Sequence, residues 1–309
     1  MNNLTLRQLR YFDAVATHGH FGHAADACAI SQPALSVQIK DLEESFGAPL
    51  LERTTRRVRL TAFGEDVLGR VREILRSVDE LGDMARAAQS GLAGRLRLGV
   101  IPTIAPYLLP SLLRDVKSTF PEMSLMVRET MTANLISELH AGKIDTAIVA
   151  LPVSEPAFAE VPLWSEEFVL VRPHSEARSP VPAPEALERE RLLLLEEGHC
   201  FRDQALSFCS LPTARPHEGL DGSSLSTLVQ MVGAGLGVTV IPEMAVPVDT
   251  PSANVNVARF SGAQPARTIG MIWRKTSPLS GQLTSLADVV RLSGESLSAG
   301  YKAVRTTEK

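Results

Sequence analysis

Two of the three cysteines stand nine residues apart in Gly198-His199-Cys200-Phe201-Arg202-Asp203-Gln204-Ala205-Leu206-Ser207-Phe208-Cys209. A thiolate can be oxidised to a sulfenic acid, which a second thiol then traps as a disulfide. Cys200 lies between His199 and Arg202, and the spacing places it at the start of a helix. A cationic neighbour and a helix N-terminus both favour the thiolate. Phe201, Ala205 and Phe208 carry a helical rhythm towards Cys209. At about 1.5 Å of rise per residue, such a helix holds the two thiols roughly 13 Å apart. A disulfide needs Cα atoms within about 7 Å. Bonding the pair therefore requires the helix to melt or its neighbours to move, as a redox switch would. Two ordinary buried cysteines on a helix fit the same residues equally well.

The groups that would serve such a thiol follow predicted strands, where small ligands sit in an open α/β fold. They are Pro102-Thr103, residues 130–132 and Gly198-His199. Thr103, Thr132 and His199 offer hydrogen bonds to a small oxidant. Gly233-Ala234-Gly235-Leu236-Gly237 follows a helix and precedes a strand. That order is the reverse of a dinucleotide fingerprint, so it reads as a tight turn.

The elements that must position these residues fill several domains. The chain has 309 residues, 44% of them hydrophobic and 21% charged, an ordinary globular balance. A net charge of -4 gives no global pull on nucleic acid, so any DNA binding must come from local charge. The most apolar stretch, near residues 101–113, is broken by Pro102, Pro106 and Pro110, and no secretion signal opens the chain. A cytoplasmic location is expected, with no membrane partner, no metal and no cofactor. In a reducing cytosol a disulfide would be transient or sensory.

Residues 1–60 read as a winged helix-turn-helix. Leu6, Leu9, Phe12 and Ala16 give one helical face, and Phe21, Ala24, Ala25 and Cys28 a second. Cys28 is expected as a buried packing residue. Ser31 caps a third helix with Pro33 in its first turn. Leu35, Ile39, Leu42 and Phe46 form its inner face. Gln32, Ser36, Gln38 and Lys40 line the other face, where side chains could contact bases or phosphates. Gly47 ends that helix, and a hairpin follows that carries Arg53, Arg56, Arg57 and Arg59. A plain three-helix bundle is the competing reading.

Residues 61–90 read as a linker helix. Val67, Val71, Ile74, Val78, Leu81, Ala85 and Ala88 alternate by four and three over about three heptads, which favours a partner helix. From 91 onward strands and helices alternate as βαβαβ, predicting a mostly parallel sheet. Strands are expected at 96–100, 124–129, 145–149, 167–171, 192–195, 238–241 and 268–273. Helices are expected at 108–120, 135–141, 223–233 and 282–292, with a frayed tail after 298. The regulatory domain, 91–309, divides into subdomain I (91–165 and 267–309) and subdomain II (166–266).

Phe21-Gly22-His23-Ala24-Ala25, Ser31-Gln32-Pro33-Ala34-Leu35-Ser36 and Leu51-Glu52-Arg53-Thr54-Thr55-Arg56-Arg57-Val58-Arg59-Leu60-Thr61-Ala62-Phe63-Gly64 resemble the signature of LysR-type transcriptional regulators. That resemblance implies a dimeric or tetrameric DNA-binding protein, with Gln32, Pro33, Ser36, Gln38, Lys40, Arg53, Arg56 and Arg57 against promoter DNA. The two regulatory halves resemble a two-lobed, periplasmic-binding-protein-like α/β effector domain.

Ile101-Pro102-Thr103-Ile104-Ala105-Pro106-Tyr107-Leu108-Leu109-Pro110, Glu196-Glu197-Gly198-His199-Cys200-Phe201-Arg202-Asp203-Gln204 and Arg267-Thr268-Ile269-Gly270 are similar to the hydrogen-peroxide-sensing members of that family. By that resemblance Cys200 is the peroxidatic cysteine and Cys209 the resolving one. Thr103, Thr132, His199, Asp203 and Arg267 would shape the peroxide pocket. The chain departs from the pattern between Cys209 and Ser223, where Pro212, Pro216, Gly219 and Gly222 make a loop. The expected function is a peroxide-responsive activator or repressor that works with RNA polymerase, not an enzyme. A regulator that binds a small organic acid in its cleft is the alternative, and a thiol peroxidase a more distant one.

Overall fold

The computed structural model describes residues 4–53, 58–87, 94–183, 187, 191–209, 221–260 and 264–307, with backbone alone at 53, 83, 85–87 and 299–307. The chain forms two compact units, Met1–Ala85 and Arg86–Lys309. No helix among the described residues is long and apolar enough to cross a membrane.

The first unit packs three helices and a hairpin. Helix α1 (Leu6–His18) opens on a capping box in which Thr5 and Gln8 bond each other's backbone N–H. Helix α2 (Phe21–Ala27) crosses it through the buried Ala24 and Ala25. Helix α3 (Gln32–Phe46) is capped by Ser31 and ends at Gly47, whose φ of 68° suits glycine. Strands β1 (Leu51–Arg53) and β2 (Val58–Leu60) pair antiparallel as the wing. The Glu43 carboxylate accepts from the Leu50 and Leu51 N–H groups at 2.9 and 3.1 Å, which ties the wing to α3. Phe12, Val15, Leu35, Ile39 and Leu42 are fully buried between these elements.

Helix α4 (Ala62–Ala87) uses its apolar stripe twice. Leu68 and Val71 are buried in the first unit's core, with Val67 and Leu75 packed against it. Further along, Ile74, Leu81 and Met84 are 46%, 64% and 57% exposed, a stripe that this chain leaves uncovered. Ala88 lies outside the described residues. Cys28 is half-buried at the end of α2, not buried as expected, because a short helix leaves its last residue at the rim.

The second unit is built on β3 (Gly94–Val100), α5 (Ala105–Thr119), β4 (Met123–Glu129), α6 (Thr132–His140), β5 (Thr146–Leu151) and β6 (Phe158–Pro173). It continues through α7 (Cys200–Phe208), α8 (Leu225–Gly233), β7 (Thr239–Pro242), α9 (Val246–Asp249), β8 (Val255–Ala258), β9 (Ala266–Arg274) and α10 (Ser280–Thr307). The strand order is β4-β3-β5-β9-β6-β7, with β8 also on β6.

Several expectations need correction. The sheet is mixed: β3 pairs in parallel with β4 and β5, but β9 runs antiparallel between β5 and β6. Periodicity identifies a strand but not its neighbour, and β9 comes from far along the chain. Strand β6 is much longer than 167–171 and serves both halves, pairing first with β9 and then with β7 and β8. The expected subdomain boundaries at 165/166 and 266/267 fall within β6 and β9, so these strands connect the two expected subdomains without overturning the division. Residues 192–195 make only two isolated bridges, Leu192 to Val238 and Leu195 to Gly222. Helices α5 and α6 each start three residues early, α5 because Pro106 is tolerated in its first turn. Helix α10 continues past 298 to Thr307.

Candidate redox site

Cys200 is the first residue of α7, and Cys209 is the residue that ends it. Both are thiols, Cys200 half-buried and Cys209 fully buried. The helix between them has nine residues. Its rise separates the pair by about 13 Å, and nine steps of about 100° place them on opposite faces. Phe201, Ala205 and Leu206 anchor the Cys209 face in the core. The Cys200 face carries Asp203, Gln204 and Ser207, which border a cavity of about 450 Å³ with Phe168, Phe208 and Ala266.

Two expected stabilisers of a thiolate are committed elsewhere. The Arg202 guanidinium is buried, donates to the Leu195 carbonyl at 2.7 Å and pairs with Asp221 at 3.4 Å. His199 is buried, and desolvation holds its imidazole below the ordinary 6.5, against the weaker opposite effect of Glu196. A neutral imidazole supplies hydrogen bonds, not charge. Cys200 itself stands at the N-terminus of α7.

That depressed value has a pH consequence. Below about pH 6.5 the unfolded chain takes up a proton at this residue that the folded chain resists, so stability falls on acidification. Urea denaturation should show the wild type losing more stability than His199→Asn between about pH 7 and pH 5. Equal losses would place the acid sensitivity elsewhere.

Around Cys200, the loop at Gly198 adopts φ of 95°, open to glycine, and presses on Met131: a Cβ there would meet its sulfur at 2.7 Å. Met131 precedes Thr132, whose buried hydroxyl has no hydrogen-bond partner among the described residues. The buried Oε1 of Gln204, one helical turn from Cys200, is in the same state. A buried oxygen without a partner can accept a bond from, or donate one to, a small hydroxylic ligand, and Gln204 offers one a single helical turn from the half-buried Cys200.

Thr103 and Arg267 belong to one hydrogen-bonded cluster. Arg267 donates to the Thr103 hydroxyl at 2.9 Å, to its carbonyl at 3.1 Å and to Glu166 at 2.8 Å. Its guanidinium lies 5.3 Å from the Phe201 ring and 5.9 Å from Phe168, and these rings meet edge to face. Burial pushes the Glu166 carboxyl up, while Arg267 and the Met244 N–H pull it down. The cluster therefore braces α7 through Phe201. Asp203 is exposed on the cavity. Gln204, Glu166 and Phe168 were not singled out from sequence. Gln204 could have been, since it stands one turn from Cys200; Glu166 and Phe168 carry no local signal.

On α3, Gln32, Pro33 and Lys40 are exposed, and Ser36 and Gln38 are half-buried. Val37 is 56% exposed, an apolar side chain where none was expected. Arg59 is exposed on β2, only the backbone of Arg53 is described, and Arg56 and Arg57 lie outside the described residues.

Residues 6–65 match the bacterial regulatory helix-turn-helix family of the lysR type, and residues 89–293 match the LysR substrate binding domain. The chain belongs to the LysR family. Among LysR-family relatives, a "Probable hydrogen peroxide-inducible genes activator" of Streptomyces viridosporus is 44% identical, over 93% of each chain. The "DNA-binding transcriptional dual regulator OxyR" of Escherichia coli K12 is 40% identical, over 93% of this chain and 95% of that one. A solved LysR-family structure, a cysteine-to-serine variant of Corynebacterium glutamicum OxyR with hydrogen peroxide bound, is 35% identical with a TM-score of 0.68. It covers 97% of this chain and 95% of that one.

Proposed function

We propose that this LysR-family regulator is a hydrogen-peroxide sensor of the OxyR type, switched by Cys200 and Cys209. The observation that carries the reading is a reduced thiol pair held at opposite ends and faces of one short helix. The Cys200 thiolate attacks one peroxide oxygen. The O–O bond breaks, the departing hydroxide takes a proton and leaves as water, and Cys200 becomes a sulfenic acid. The Cys209 sulfur then attacks the Cys200 sulfur. The S–O bond breaks, a second water leaves with the Cys209 proton, and the disulfide forms. Thr132, Gln204 and His199 are assigned to hold peroxide, and Thr103 and Arg267 to fix α7 in place. Asp203 is assigned to the cavity mouth.

The disulfide cannot form on an intact α7, so oxidation remodels the regulatory half. The uncovered stripe on α4 is assigned to pairing with a second copy, which would present two α3 helices to a two-fold site. Gln32, Pro33, Ser36, Gln38, Lys40 and the wing residues Arg53, Arg56 and Arg57 are assigned to promoter DNA. Val37 suits a thymine methyl group. Remodelling alters the spacing of the two heads, and with it contact with the promoter and RNA polymerase.

Footprinting tests this reading. One footprint is expected under dithiothreitol, and a displaced one after stoichiometric peroxide, reverting on reduction. An identical footprint in both states would refute it.

A further inference from the structure

Tyr107 and Asp249 stand 142 residues apart in sequence and meet in the interior. Tyr107, on α5, is 7% exposed, and Asp249, at the end of α9, is 6% exposed. The Tyr107 hydroxyl donates to Asp249 Oδ2 at 2.7 Å. The other carboxylate oxygen accepts from the Ser226 hydroxyl in the first turn of α8. Burial, and then the bond to Asp249, push the Tyr107 hydroxyl far up, so it stays a donor. Helix α5 follows β3, while α8 and α9 flank β7. The cluster therefore joins the two halves of the regulatory unit.

The same cluster is connected to the thiol helix. Arg202 on α7 pairs with Asp221, and the next residue, Gly222, exchanges backbone bonds with Leu194 and Glu196. Ser224 then caps α8, which carries Ser226. On the other side, Arg267 and Glu166 act electrostatically on Tyr107. Melting α7 removes the Arg202 anchor of the segment that leads into α8. The cluster thus lies on a chain of contacts that oxidation must disturb.

We propose that Tyr107, Asp249 and Ser226 form a latch that holds the two halves in the dithiol arrangement and sets how readily Cys200 and Cys209 oxidise. The inference rests on the function proposed above. The three are positioning residues: they lie on α5, α8 and α9 and not on the thiol helix α7. Their bonds belong to the dithiol state, so removing them favours the disulfide.

The test equilibrates the full-length protein with graded ratios of reduced and oxidised dithiothreitol. The dithiol converts to the disulfide as the oxidised reagent takes two electrons and two protons. Alkylation of the remaining thiols reads the ratio. Tyr107→Phe and Asp249→Ala should each raise the disulfide-to-dithiol ratio by roughly tenfold or more, as loss of a bond to a charged group implies. Asp249→Asn, which keeps an acceptor for Tyr107, should shift it less. In a Cys209→Ser background, trapping of the Cys200 sulfenic acid by dimedone should proceed at the same rate with and without Tyr107→Phe. Wild-type ratios in both Tyr107→Phe and Asp249→Ala, or a shift towards the dithiol, would overturn the latch alone. A wild-type protein that forms no Cys200–Cys209 disulfide would overturn the latch and the functional reading together.

Discussion

Cys200→Ser should bind promoter DNA as the wild type does and give no response to peroxide. The substitution exchanges sulfur for oxygen at a half-buried position, so the fold has no cause to change. A serine hydroxyl does not attack peroxide, so no sulfenic acid forms for Cys209 to capture. The DNA-binding helices belong to a separate compact unit, which keeps its own core. Gel-shift affinity and a peroxide-dependent reporter check the two halves of the expectation. Cys209→Ser should differ: its Cys200 still reaches the sulfenic acid but stays unbridged, so dimedone labels it. Cys28→Ser should respond normally, since Cys28 belongs to the other unit, where burial and Asp13 raise its thiol. A Cys200→Ser protein that still switched would remove the sensing role from this residue.

Arg267→Met should be the most damaging single change in the regulatory unit. It deletes three hydrogen bonds and leaves the Glu166 carboxylate buried without its cation. Breaking a buried pair in this way costs about 3–5 kcal/mol. For a unit of this size each kcal/mol lowers Tm by about 2–4 °C, so a fall of roughly 6–20 °C is expected in calorimetry. The pair also has a built-in control. Arg267→Met combined with Glu166→Gln removes the stranded charge and should recover part of the loss. Additive losses in the double variant would show that the two residues do not act as a pair. Because Arg267 stacks near Phe201, the single variant should also slow peroxide oxidation of Cys200 in the fraction that stays folded.

The parts of the molecule governed by local rules were legible in the sequence. Ser31, Pro33 and Gly47 marked the ends of α3 because caps act within one turn. The helix between the cysteines was legible from the apolar period of Phe201, Ala205 and Phe208, which is equally local. The α4 stripe was legible as a seam, but not its division between an inner core and an exposed stretch, which depends on where the first unit stops. Long-range pairings left no trace. Glu166 reaches Arg267 across 101 residues, and Tyr107 reaches Asp249 across 142. The antiparallel insertion of β9 is likewise a matter of partner choice, which period-two alternation does not encode. Residue type also misled at His199 and Arg202. Both can be cations, but burial keeps one neutral and the Leu195 carbonyl and Asp221 occupy the other.

The central claim is that peroxide joins Cys200 to Cys209, two thiols that the reduced fold keeps at opposite ends of α7. Peptide mapping by mass spectrometry after one equivalent of peroxide tests it most directly. A cross-linked peptide pair containing Cys200 and Cys209, reversed by dithiothreitol, is the predicted result. Cys200 recovered as a sulfinic acid, with Cys209 still open to alkylation in denaturant, would contradict the account.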